Sequence, residues 1–176
     1  MSLFSPPDAT EYAPYYGTYV RLITADPLAA LQTQPAELRR LLAGLTEEQA
    51  QFRYAAGKWS IKEMLVHMID TERIFAYRAL RISRGDTTAL PGFEQDDYVP
   101  TSEADARPLA SILHEYDTVR AATLSLLGSF SAAQLSRRGT ASGQPVSVRA
   151  MSFIMAGHEA HHLHILQQRY LPLLAA

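Results

Sequence analysis

Four stretches of the chain place apolar residues at intervals of three and four, the spacing that lines one face of an α-helix. The first opens on Asp26-Pro27, an N-cap followed by proline at the first helical position, and runs to about Ala43 with Gly44 as the stop. Leu28, Leu31, Leu38, Leu41 and Leu42 form its apolar face, while Pro35 inside it predicts a kink or break after Gln32. The second opens on the capping box Ser60-Ile61-Lys62-Glu63 and runs to about Arg84, where Gly85-Asp86 ends it. Its stripe is Ile61, Met64, Leu65, Met68, Phe75 and Ile82, with Trp59 placed to pack back on the first turn. The third spans roughly Arg107 to Leu127, its buried side marked by Leu109, Ile112, Leu113, Tyr116, Val119, Leu124 and Leu127. The fourth, Val148 to Tyr170, contains no proline and carries Met151, Ile154, Met155, Ile165 and Leu166 on one side.

The connections are less regular. Residues 1–25 read as an irregular arm, since Pro6, Pro7 and Pro14 oppose a helix. Its tyrosines, Tyr12, Tyr15, Tyr16 and Tyr19, predict an arm laid against the bundle; for each of them aromatic anchoring is the stronger reading, ahead of a place at the rim of a pocket. Residues 86–106 are too long for a tight turn, and their acidic run Glu94, Asp96, Asp97 reads as a solvated face ahead of a metal site. Ser131 caps a short turn, and Arg137 to Pro145 reads as a Gly/Ser-rich link. No segment shows sustained strand-like alternation. The expected fold is all-α, a four-helix bundle, with one domain over 1–176 in which residues 26–172 form the bundle.

Composition narrows the function classes. The chain has 176 residues, enough for one proper core, with 47% apolar and 19% charged residues. A net charge of −2 gives no basic footprint, so nucleic acid is not an expected partner. The N-terminus lacks the basic start and apolar run of a signal peptide, and no stretch reaches membrane-spanning length. The expectation is a soluble cytoplasmic domain without a membrane partner. Cysteine is absent, which removes disulfides and protein thiol nucleophiles and leaves histidine and carboxylate as metal ligands.

Four of six histidines fall within the seven residues His158 to His164. On a helix, His158 and His162 stack at i and i+4 on the apolar stripe; His161 falls at its edge and His164 outside it. Two buried imidazoles call for a partner, and a metal ion is the obvious one. A catalytic site needs about three protein ligands and an open position, and His67, bordering the stripe of the second helix, is the third candidate. His114 stands alone and reads as a surface residue. Asp70 is a candidate orienter of an imidazole. Glu159 points away from the stripe and reads as solvated, while Arg73, Arg78 and Arg81 read as pairing with Glu72 and its neighbours on an exposed face. His158, Glu159 and His162 also spell the H-E-x-x-H signature of zinc proteases. That reading is the poorer one. No histidine, aspartate or glutamate follows His164, and Ile165 and Gln168 stand where the longer signature needs glycine and histidine.

Taken with Lys58-Trp59-Ser60-Ile61-Lys62-Glu63, His67, Asp70, Glu72, Arg78, Arg81 and Leu90-Pro91-Gly92-Phe93-Glu94, the run His158-Glu159-Ala160-His161-His162 resembles the DinB superfamily. The likeness is to its branch of YfiT-like, bacillithiol-transferase-like proteins. The resemblance implies a bundle of up-down-down-up connectivity with one divalent metal in a central pocket, and the family's ligand positions fall on His67, His158 and His162. It also implies a homodimer and a metal-dependent thiol transferase or hydrolase acting on a small-molecule substrate. Zinc or nickel is the expected ion, with iron or copper also suited to three imidazoles, and a low-molecular-weight thiol is a candidate cosubstrate. The alternative class is a metal- or ligand-binding bundle associated with stress that performs no chemistry.

Overall fold

Local signals in the sequence start each long helix. In the computed structural model, which describes residues 4–174, the Asp26 carboxylate accepts from the Leu28 amide at 2.8 Å and opens α1, Pro27–Leu42. The Ser60 hydroxyl accepts from the Glu63 amide (3.0 Å) while Glu63 accepts from the Ser60 amide (2.7 Å), and this reciprocal box opens α2, Ile61–Ser83. Helix α3 spans Leu109–Gly128 and begins after Pro108, two residues later than expected. Ser147 caps α4, Val148–Ile165, which continues into a π-helical turn, Leu166–Tyr170, and a last turn, Leu171–Leu174.

The expected break at Pro35 does not occur; α1 is continuous through it. A proline inside a helix removes one N–H and orphans the carbonyl four residues earlier, which here belongs to Leu31. Arg120 of α3 donates to that carbonyl from Nη1 at 2.8 Å. A neighbouring helix therefore supplies the hydrogen bond the proline cannot.

Apolar residues form two clusters, one at each end of the bundle. Leu31, Phe75, Ile82, Leu127, Val148 and Met151 belong to one, and Leu38, Leu41, Ile61, Leu65, Ile112, Leu163 and Leu166 to the other. The start of α1 and α4 thus lies with the end of α2 and α3, which gives up-down-down-up connectivity. Helix α2 packs on α3 and α4, and α1 packs on the same two, so α1 and α2 face each other across one diagonal and α3 and α4 across the other. Between the two apolar clusters lies a belt of buried polar side chains, among them His67, Thr71, Glu72, Arg120, His158, Glu159 and His162.

The connections are more ordered than the sequence suggested. The stretch expected to be a Gly/Ser-rich link folds as an antiparallel hairpin, β1 Arg138–Ala141 and β2 Gln144–Ser147, with Ala141 opposite Gln144. Ser142 and Gly143 both have positive φ, 52° and 72°, as a two-residue hairpin turn requires. Strands of four residues are too short to show alternation, which is why the pattern missed them. The arm contains single turns at Ala9–Glu11, Pro14–Tyr16 and Gly17–Val20 and so is not wholly irregular. Glu11, almost fully buried, clamps it to the bundle by accepting from Ser147 and Arg149. Burial alone would raise the Glu11 carboxyl, but Arg149, Ser147 and the Asp8 amide outweigh it and hold the pKa near 2. The 86–106 connection carries a short helix, Gln95–Thr101. Among the described residues no helix is long and apolar enough to cross a membrane.

Candidate metal centre

Helix α2 brings His67, and α4 brings His158 and His162, to one point in the polar belt. All three are buried, at 4%, 7% and 8% exposure. Their Nε2 atoms converge, with His67 to His158 at 3.0 Å and His162 to His158 at 3.0 Å. Burial, reinforced at His158 and His162 by the other imidazoles, pushes all three pKa values down, that of His67 to about 4. Each ring is therefore neutral near pH 7 and offers a lone pair. His158 Nε2 carries at most one hydrogen, so it cannot make two good hydrogen bonds to two other ring nitrogens that face it. One cation among three lone pairs removes that conflict. Nitrogens about 2.0–2.1 Å from a common zinc-type ion stand roughly 3.3 Å apart, close to the separations seen. The donor set fits a metal.

Two cavities flank the triad. The larger, about 370 Å³, touches His67 and His158 and is walled by Tyr15, Tyr16, Tyr19, Phe75 and Phe93, with Thr71, Glu94 and Asp96 among its polar lining. The smaller, about 330 Å³, touches His162 and is walled by Tyr54, Trp59, Met64 and Tyr170. Gln95 and Asp96 border both, so the short helix of the long connection stands over the partition. Trp59 lies against the His67 ring, centroids 4.7 Å apart, and its carbonyl is held by the Tyr170 hydroxyl at 2.8 Å. Three of the four arm tyrosines, Tyr15, Tyr16 and Tyr19, line a pocket, a larger role than the anchoring expected of each.

The sequence profile of the DinB superfamily matches residues 30–166. The chain belongs to the DinB superfamily. Two proteins of similar sequence are named "putative metal-dependent hydrolase". One, from Geobacillus thermodenitrificans (strain NG80-2), is 25% identical over 137 residues, 77% of each chain. The other, from Geobacillus kaustophilus (strain HTA426), is 26% identical over 140 residues, again 77% of each. Among solved structures, YfiT from Bacillus subtilis, described as "a probable metal-dependent hydrolase with an unusual four-helix bundle topology", superposes with a TM-score of 0.76 over 98% of both chains at 14% identity. The DinB fold is thus shared with YfiT across essentially the whole length.

Within this DinB chain, several side chains sit elsewhere than the sequence suggested. Glu159 is not solvated but 3% exposed. Ala150 to Glu159 are all buried, because α4 has neighbours on more than one side and its apolar stripe marks only one of its buried faces. Glu159 accepts from the Tyr116 hydroxyl (2.5 Å) and from Arg120, which also grips Glu72 through Nε (3.0 Å) and Nη2 (2.8 Å). Burial raises the Glu159 carboxyl, opposed by Arg120 and Tyr116. Arg78 is likewise buried, donating to the Pro91 carbonyl (2.6 Å) and Ser142 (3.1 Å), so it does not join Glu72 on an exposed face. Arg73 and Arg81 do pair at the surface, with Glu115 and Asp86. Asp70 faces Arg73 at 3.6 Å. His161 is half-buried with its ring against Tyr19, and His114 and His164 are exposed.

Two positioning features had no sequence signal strong enough to find them. Gly157 lies under the arm; a Cβ there would stand 2.1 Å from the Tyr19 carbonyl oxygen. Its missing side chain lets the arm backbone touch α4 beside His158 and sets Tyr19 edge-on to that ring, 5.3 Å between centroids. The second is Thr71, one turn beyond His67 on α2, whose hydroxyl is buried without a hydrogen-bond partner among the described residues. A glycine before a histidine run and a threonine in a helix are too common to be read alone.

Proposed function

We propose that this chain is a metal-dependent hydrolase in which His67, His158 and His162 hold one divalent cation and a small molecule occupies the adjoining aromatic cavity. The observation that carries the reading is the convergence of three neutral, buried Nε2 atoms, with His158 3.0 Å from each of the other two, where one ring hydrogen cannot satisfy both contacts. The relatives named as metal-dependent hydrolases support it. A bound divalent ion supplies Lewis acidity, lowering the pKa of a water or a small thiol so that it is a nucleophile near neutral pH. The protein's own part is to bind and orient. Tyr16, Tyr19, Phe75 and Phe93 offer faces for an apolar body and exclude water from it. Glu94 and Asp96, at the mouth formed by the long connection, are acceptors within the same cavity. Any thiol must come as a small molecule, since the chain has no cysteine.

The test is metal content by mass spectrometry of tag-free protein after incubation with zinc or nickel, for wild type, His67→Ala and His158→Ala. One equivalent is expected in the wild type, with affinity lowered in each variant by more than the roughly 10–100-fold that loss of a partner behind a ligand costs. Hydrolysis of acyl and amide model substrates should follow the metal. Wild-type protein that holds no ion would remove this reading.

A further inference from the structure

Helical threonines ordinarily return their hydroxyl to a carbonyl one turn back. Thr33, Thr101 and Thr118 do so here, donating to Ala29 (3.1 Å), Asp97 (3.2 Å) and His114 (2.9 Å). Thr71 does not. It is 3% exposed, and its Oγ1 has no hydrogen-bond partner among the described residues. Buried hydroxyls without partners are rare in folded proteins and cost stability, so one that persists calls for an explanation. Its position supplies one. At i+4 from His67, Thr71 shares that residue's helix face and borders the same 370 Å³ cavity, between the imidazole and the Phe75 ring. The cavity is large enough for a small organic molecule, and five of its thirteen lining residues are tyrosine or phenylalanine.

We propose that Thr71 is a specificity-determining residue: its Oγ1 hydrogen-bonds the oxygen-bearing polar head of a small molecule whose apolar or aromatic body lies along Tyr16, Tyr19 and Phe75. The inference deepens the hydrolase reading and rests on it. A hydrogen-bonding group beside a triad and an aromatic wall together select a carbonyl-type head joined to a ring or short apolar chain. A small void of about 10 Å³ behind Thr71, bordered by Glu72 and Glu159, is the competing explanation, because a single trapped water there would satisfy the hydroxyl internally.

Thr71→Val, which keeps the shape and removes the hydroxyl, and Thr71→Ser, which keeps the hydroxyl, separate these explanations. Metal stoichiometry is measured first, and a wild type without metal counts against the hydrolase reading alone. Binding of benzohydroxamate, a metal-directed head on a phenyl ring, is then measured by calorimetry on zinc-loaded protein, and melting is followed on metal-free protein. Thr71→Val should retain one equivalent of zinc, bind benzohydroxamate about tenfold more weakly, and melt no lower than wild type. Thr71→Ser should bind within about threefold of wild type. Equal affinity in Thr71→Val, failure of zinc-loaded wild type to bind the probe, or a drop of several degrees in the melting of metal-free Thr71→Val would each overturn the proposal. The melting comparison decides whether the hydroxyl is satisfied internally even in protein that takes up no metal.

Discussion

His158 and Glu159 are consecutive in α4, and about 100° of helix rotation sends their side chains into two different buried clusters. Glu159 joins Glu72, Arg120 and Tyr116, where each carboxylate accepts from the guanidinium and the tyrosine hydroxyl closes one remaining lone pair. His158 joins His67 and His162, where three rings of one kind point the same nitrogen at one another. Both clusters sit in the same polar belt at similar burial. The first contains its own counter-charge, the Arg120 guanidinium shared by Glu72 and Glu159, which also satisfies the Leu31 carbonyl that Pro35 orphans. The second contains no counter-charge and brings three ring nitrogens together where one hydrogen cannot serve them all. A buried polar group survives because something satisfies it. Where the protein does so itself the cluster holds the fold, and where it does not the cluster waits for a ligand.

This contrast can be broken most forcefully at Arg120. Arg120→Met leaves two carboxylates and the Leu31 carbonyl buried without their donor, a change that typically costs about 3–5 kcal/mol. The melting temperature should fall by roughly 10 °C, with or without metal. His158→Leu, one residue from the same network, should change the stability of metal-free protein by only about 1 kcal/mol while abolishing metal binding, because it removes lone pairs that had no protein partner. Denaturant unfolding of both variants with chelator present makes the comparison. Equal losses would mean that both clusters serve the fold.

Acid should distinguish the clusters next. Burial holds His67 near pKa 4 against an ordinary 6.5, so between those values the unfolded chain binds more protons than the folded one. Stability of metal-free protein is then fully present above about pH 6.5 and is lost as pH falls toward 4, by about 3 kcal/mol from this residue alone. Glu11, held near 2 against 4.5, contributes stability that disappears only in the lower window, from about pH 4.5 to 2. Denaturant titrations at closely spaced pH should show two steps. Saturating zinc should move the upper step to lower pH and leave the lower one in place.

Much of this was legible before any coordinates. Two of the four long-helix starts, the Asp26 cap and the Ser60 box, the apolar periodicity and the i, i+4 pairing of His158 with His162 are local properties, set within a turn or two of chain, and local spacing reports them faithfully. The missed features depend on partners far away in sequence. Pro35 predicts a break only if nothing else reaches the Leu31 carbonyl, and Arg120 is 89 positions from Leu31. Glu159 looks solvated on a helical wheel that assumes one buried face, whereas α4 packs on both α1 and α2. The hairpin at 138–147 is held partly by Leu90, whose amide donates to the Thr140 carbonyl at 2.9 Å, a contact with no trace in either segment alone.

The smallest effect should come from the arm, and it sharpens the contrast because the arm touches the imidazole side. On an exposed helix, Gly157→Ala would gain about 1 kcal/mol from helix propensity. Here the new methyl would stand 2.1 Å from the Tyr19 carbonyl oxygen and 2.6 Å from its carbon, and both are backbone atoms that no side-chain rotation can move aside. The Gly17–Val20 turn must lift from α4, taking Tyr16 and Tyr19 with it. A net loss of roughly 1–2 kcal/mol is expected, within the range for overpacking a tight contact. Hydrogen exchange should accelerate in the Gly17–Val20 turn while the amides of α3 around Arg120 keep their protection. Metal stoichiometry should stay at one, since His67, His158 and His162 are carried by α2 and α4 and not by the arm. Faster exchange spreading through α3 would show that the two clusters do not stand independently, and the division between a self-satisfied network and a ligand-seeking one would have to be redrawn.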